Sequence, residues 1–360
     1  MKHKLRAGLA QVMSGQAIGL YRAELMGMAI LWIMAFHCYL KPLEAHRIPI
    51  VYAIIKHGNL GVEIFLFLSG IGLYHSQRRK SGITAFYLRR VIRVVLPWLI
   101  LSFPYWGLKT LIIDRGGFGA FLLNWSGLSF WTDGITTVWY VAFSVLLYAL
   151  YPLIFRCQRR SAATIPALIA GAILLNIVLY LICPAHYDKI EIALARIPVF
   201  LLGCYAGESI AEEKKLFKNR AVYLYLLVMI LLYVFKLCYN RFDLPWPTLS
   251  VAVLIGRLGG QATALLVILA ASLLFTVFGL KPLKKMLSFL GGITLELYLL
   301  HVFLLNIASR SGILNGAGQG RYYAVATAVI FCSIIGGLIF SRIYGYILQR
   351  LELRRRSGAQ

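Results

Sequence analysis

The sequence predicts an all-α membrane protein: a polytopic transmembrane bundle of about ten helices with both termini cytoplasmic. Three observations carry that expectation. The 360 residues are 60% hydrophobic and only 14% charged, whereas a soluble domain carries about a quarter charged residues. The apolar residues fall into runs long enough to cross a hydrocarbon core of ~30 Å. The basic residues gather in alternate connections, the pattern that separates cytoplasmic loops from those across the bilayer. The formal charge of +24 is thereby accounted for as topology, and nucleic-acid binding loses its main support.

Residues 1–21 are basic but interrupted by Gln, Ser and Gly, so they read as a cytoplasmic lead-in with an interfacial turn or two, not a cleavable signal. Apolar runs follow at about 22–40, 60–76, 92–113, 136–155, 162–182, 190–207, 221–239, 261–280, 287–306 and 322–348. The stretch 247–260 reads either as a re-entrant piece or as an early start to the eighth helix. Arg78, Arg79, Arg89, Arg90 and Arg93 lie between the second and third runs, and Arg156, Arg159 and Arg160 follow the fourth. Lys214 and Lys215 follow the sixth, Lys281, Lys284 and Lys285 the eighth, and Arg350 the tenth. The opposite connections are poorer, with Lys41, Arg47 and Lys56 in the first and then mostly single residues such as Arg115, Lys189 and Arg241. Residues 22–349 are thus one membrane domain and 350–360 a basic cytoplasmic tail. No internal repeat and no appended soluble domain is expected. The six cysteines are scattered without ligand spacing, which points to small apolar residues and no metal site.

The first run places an ionisable group at depth. From Arg22 to His37 a helix climbs roughly 22 Å. Polar side chains there are costly unless they face a partner or cavity, which makes them functional candidates. With alternating topology, Glu63, Arg196 and His301 reach the same outer-half layer as His37, and Trp139 and Tyr140 begin the fourth run on that side. Tyr298 and Glu296 lie deeper. A carboxylate beside a histidine is the usual arrangement for a general base, so His37 oriented by Glu63 is the expected catalytic pair on a hydroxyl. The plain alternative is a structural Glu63–Arg196 ion pair with both histidines at helix contacts. On the other face, Arg78, Arg79, Arg89, Arg90 and Arg93 can take the phosphates of a cytosolic donor or simply anchor the chain to anionic lipid. LSGIG (68–72) reads as a small-residue packing spot or a place where a ligand tail meets backbone.

Six stretches in order resemble the membrane-bound acyltransferase family 3, the bacterial integral-membrane O-acyltransferases: ELMGMAILWIMAFH, LGVEIFLFLSGIGL, YLRRVIRVVLPWL, TTVWYVAFSVLLYALYPLI, RIPVFLLGCYAG and LGGITLELYLLH. The resemblance implies transfer of an acyl group, most often acetyl from acetyl-CoA, to a hydroxyl of a cell-envelope glycan or similar acceptor, in the bacterial plasma membrane. His37 matches the histidine of the family's first-helix motif, Glu63 its acidic residue, Arg89, Arg90 and Arg93 its basic stretch, and His301 its late histidine. The motif arginine falls on Met26, with Arg22 one turn earlier as a substitute. Some relatives add an extracellular esterase-like domain; none is expected here. Trp139, Tyr140, Arg196 and Tyr298 are expected to support the substrate or transition state. A transporter or flippase of a glycan or small molecule is the alternative function, since the same charges could line a polar path.

Overall fold

The computed structural model describes residues 2–46, 49–79, 82–216, 220–242, 249–314 and 318–357. It is helical throughout, with no strand among the described residues. Two short helices, α1 (Lys2–Met13) and α2 (Gln16–Leu20), lead into the long α3 (Arg22–His46). A bent pair, α4 (Pro49–Ile55) and α5 (Leu60–Arg78), comes next. Then α6 (Ile83–Arg90) runs through a π turn into α7 (Leu96–Trp106). The short α8 (Phe118–Trp125) and α9 (Leu128–Asp133) precede α10 (Trp139–Arg160), α11 (Thr164–Ile182), α12 (Pro184–Leu194) and α13 (Ile197–Ala211). The chain closes with α14 (Arg220–Arg241), α15 (Leu249–Phe278), α16 (Lys281–Gly291), α17 (Thr294–Arg310) and α18 (Gln319–Ser357). Eight stretches are long and apolar enough to cross a membrane, and two bent pairs bring the number to ten. The expected membrane bundle is what the chain forms.

Two departures from simple rods shape the interior. The ninth run is not one helix: α16 and α17 meet at 72°, at the Gly291–Gly292 pair that the sequence reading passed over. A Cβ on Gly291 would sit 2.0 Å from the Ala23 carbonyl oxygen, and one on Gly27 1.9 Å from that of Leu287. Only glycine lets α16 lie this close to α3. The stretch 249–260 is the early start of α15 and not a separate piece; residues 247 and 248 lie outside the described residues.

The second departure is the break at Arg196 between α12 and α13. Pro198 has no N–H to give the Leu194 carbonyl, so the helix must restart. Inside a membrane the freed carbonyls need partners from the protein. Asn176 Nδ2 donates to Leu194 at 3.2 Å, Gln261 Nε2 to Ala195 at 2.8 Å, and Arg196 Nη1 to Ile192 at 2.6 Å. The break therefore points Arg196 inward at 1% exposure.

The basic ends converge on one face. Arg78 donates to the Ala211 carbonyl at the end of α13, and Arg159 meets Glu212 at 3.0 Å. Lys214 also hydrogen-bonds Glu212 and holds its carboxyl below the usual range. At the opposite face, Asp114 is shared by Lys109 at 2.8 Å and Arg310 at 3.0 Å, which ties the third span to the ninth. The basic ends that follow α5, α10 and α13 thus lie together, as their alternation predicts for those three.

Candidate active site

A cavity of about 1360 Å³ opens among α2, α3, α5, α6, α10, α17 and α18. Its cations come from the basic face: Arg79, Arg89, Arg90 and Arg93, with Arg22 deeper. Arg78, grouped with them from the sequence, does not line it; its guanidinium is turned to the Ala211 carbonyl instead. The backbone explains how α6 presents its arginines. Pro97 cannot donate to the Arg93 carbonyl and its ring crowds that oxygen, so the preceding turn widens into the π turn Val91–Val95. Arg90 donates to Ser76 at 3.2 Å and lies over the Phe86 and Tyr148 rings.

Polar stripes at helical spacing build the walls. Tyr140, Ser144 and Tyr148 project from one side of α10, and Ser69, Gly72 and Ser76 from one side of α5. Their spacings, four and four on α10 and three and four on α5, are legible in the sequence, where Tyr140 and LSGIG stand out and Ser76, Ser144 and Tyr148 do not. Arg22 crosses to α5, where its Nε donates to the Leu68 carbonyl at 2.9 Å. Gly72 leaves the room: a Cβ there would lie 2.6 Å from the guanidinium. Gly70, one step away, instead packs on α13, where a Cβ would meet the Phe200 carbonyl oxygen at 2.5 Å. The small-residue packing reading of LSGIG therefore holds at Gly70, while Gly72 lines the cavity with the Arg22 side chain against it. Met26 and Arg22 line the same cavity.

Above the cavity sits a contiguous chain of the outer-layer residues. His37 Nδ1 and His301 Nε2 are 2.9 Å apart. Their ring centres are 5.2 Å apart in planes inclined by only 16°. That combination is two rings lying edge to edge with an in-plane N–H···N bond, not face-to-face stacking. His301 Nδ1 is 2.8 Å from the Leu297 carbonyl oxygen. His301 then meets Tyr298 with ring centres 5.8 Å apart, Tyr298 meets Tyr140 at 5.4 Å, and Tyr140 meets Trp139 at 6.0 Å. The Arg196 guanidinium lies 5.2 Å from the centre of the Trp139 ring. Its Nε approaches Glu63 Oε1 at 2.8 Å, close enough for an ion pair but off-line for a hydrogen bond.

One expected pairing is corrected. Glu63, expected to orient His37, pairs with Arg196, and the ring that hydrogen-bonds His37 is His301. The physical reason is charge: two buried groups of opposite sign, at 1% and 2% side-chain exposure, gain more from each other than a neutral imidazole could offer either. Tautomers follow from the acceptors. The Leu297 carbonyl can only accept, so His301 carries its proton on Nδ1, and its bare Nε2 accepts from His37 Nδ1–H. That leaves the His37 Nε2 lone pair unused in the neutral pair. His301 is fully buried, while His37 is exposed.

Sequence reasoning missed a second polar group beside this chain. Glu191 and Arg257 form a bidentate pair at 2.6 and 2.7 Å between α12 and α15. Gln261, one turn beyond Arg257, accepts from Tyr225. Glu191 lies at the edge of an apolar run and Arg257 in the ambiguous stretch, so neither stands inside a run as His37 does.

An all-helical membrane bundle with paired histidines above an arginine-lined cavity defines a class, a multi-pass membrane protein with a built polar centre. The chain belongs to acyltransferase family 3, whose acyltransferase domain matches residues 25–344, and it is therefore a membrane acyltransferase. No curated protein and no solved structure matched the chain.

Proposed function

We propose that this acyltransferase moves an acyl group, acetyl foremost, from cytosolic acyl-CoA to a hydroxyl of a cell-envelope glycan or similar acceptor, across the bacterial plasma membrane. One observation supports the reading above others. The arginine-lined cavity and the histidine pair meet at a thin aromatic wall, where Tyr140 lines the cavity and touches Tyr298, which touches His301. Phosphates suit the arginine forks of Arg79, Arg89, Arg90 and Arg93 at the basic face, which the positive-inside rule makes cytoplasmic. The acyl end then extends toward Tyr140.

His37 is the general base. Its free Nε2 takes the proton of the acceptor hydroxyl as the oxygen attacks the thioester carbonyl; the C–S bond breaks, and the proton passes on to the departing thiolate. His301 holds His37 in the tautomer with Nε2 bare and shares the charge of the imidazolium that forms. Glu63 and Arg196 brace Trp139 and the aromatic wall. Arg22 stands in for the arginine whose motif position is Met26, reaching the same cavity from one turn below.

The test is free-thiol release from acetyl-CoA by the detergent-purified protein, with and without an extract of envelope glycans. Release that depends on the glycan and drops by about 10²–10⁴-fold in a folded, inserted His37→Ala protein is the expected result. Undiminished turnover in His37→Ala ends the general-base assignment, and acceptor-independent behaviour ends the glycan assignment.

A further inference from the structure

The charges around the cavity are all cationic save one. Glu296 is the only lining residue, among those described, that can carry negative charge, and it forms no ion pair among the described residues. It stands five residues before His301 on α17, roughly 7.5 Å along the axis, and two before Tyr298, whose ring meets Tyr140. That position sets it toward the aromatic wall along α17, against α18, where a Cβ on Gly337 would lie 3.4 Å from its own Cβ; the cavity lining also includes the neutral Met26, Phe65 and Tyr140. Arg22, the deepest cation, lies a turn nearer the basic face than Met26 and is held there by the Leu68 carbonyl. Phosphates drawn to the mouth thus leave the far end of a donor facing a carboxylate with no cation set against it.

We propose that Glu296 is a specificity-determining residue for the donor, rejecting acyl groups that end in a carboxylate, such as succinyl and malonyl, and admitting neutral ones. The inference rests on the cavity being the acyl-CoA site. Specificity of this kind needs a repulsive element, because a cation-rich cavity alone would favour every extra negative charge on the donor. Like charges brought together away from water discriminate by about tenfold or more. A neutral acyl group meets no such penalty.

Equilibrium binding to the detergent-purified protein tests this without the acceptor. Radiolabelled acetyl-CoA is displaced by unlabelled acetyl-CoA, succinyl-CoA and succinamyl-CoA, the last being the neutral amide isostere of succinyl. Wild type should bind succinamyl-CoA about tenfold or more tightly than succinyl-CoA. Glu296→Gln should bring the two within about threefold by tightening succinyl-CoA alone, and Glu296→Asp should keep the discrimination. Equal binding of the isosteres by wild type overturns the proposal even if no variant folds. So does a Glu296→Gln effect of equal size on all donors, which marks a hydrogen-bond acceptor. If acetyl-CoA does not bind wild type, the acyl-CoA reading of the cavity fails and this inference falls with it; if acetyl-CoA binds but the ratios do not move, only the role of Glu296 is lost.

Discussion

His301 does more for His37 than pack against it. Its Nδ1–H is fixed by the Leu297 carbonyl at 2.8 Å, so the nitrogen it offers His37 can only accept. Remove that acceptor and His37 is free to rotate or to protonate Nε2, the atom the proposed mechanism needs bare. His301→Ala should therefore lower kcat by about 10²-fold with little change in KM for acetyl-CoA. His301→Gln should restore most of it, because the amide oxygen reaches the place of Nε2 and accepts from His37 Nδ1–H. Steady-state kinetics of the two variants decide the matter; equal losses in both make His301 a packing residue. At this scale the sequence was informative about membership and left the pairing open between His37–Glu63 and the Glu63–Arg196 pair that forms. His37, Glu63, Arg196 and His301 are conspicuous because an ionisable group in an apolar run is costly to keep. Which of them touch depends on how each helix is turned about its own axis. No spacing along one helix sets that for partners such as His37 and His301, 264 residues apart.

The helices that carry the site are held by contacts too close for any side chain. On α13 a Cβ at Gly203 would lie 2.1 Å from the Phe67 carbonyl oxygen of α5, and backbone cannot yield as a side chain would. Gly203→Ala should cost about 1–3 kcal/mol through overpacking. Gly171, mid-way along α11, has nothing within 4 Å of such a Cβ, so Gly171→Ala should be neutral or stabilising by up to about 1 kcal/mol, the gain in helix propensity. Melting of both variants in detergent, followed by intrinsic fluorescence, checks the opposite signs. A neutral Gly203→Ala would mean that α5 and α13 separate more easily than their geometry implies. Span number and the alternation of basic ends were legible in the chain because length and charge report them directly. The 72° bend at Gly291–Gly292 was not. A Gly pair inside an apolar run is tolerated in membrane helices, and only the approach of Ala23 on α3 makes it a corner. The break at Arg196 is a similar case: Pro198 announces it, but the partners that make it bearable, Asn176 and Gln261, come from helices far away in sequence.

For the molecule as a whole, the arrangement sets a basic-face cavity, the proposed donor site, apart from a histidine layer toward the opposite face, with Tyr140 and Tyr298 between. On the proposed mechanism such a division makes donor binding separable from chemistry, because the arginines lie at the mouth and the proposed base, His37, lies beyond the aromatic wall. Replacing Arg89, Arg90 and Arg93 together with Gln should raise KM for acetyl-CoA by about tenfold or more, since charge-assisted hydrogen bonds to phosphate are among the stronger ones. The kcat should change little, the mark of binding energy used equally in ground and transition states. The same three residues also lie on a face rich in positive charge, so the competing account makes them topological anchors and nothing more. The two accounts part on a donor lacking the nucleotide. Acetyl-pantetheine has no phosphates for the arginines to hold, so its kcat/KM should be the same in wild type and in the triple variant if the residues act on the donor. An anchor role would lower turnover of both donors together, through loss of correctly inserted protein, and would leave KM for acetyl-CoA where it was.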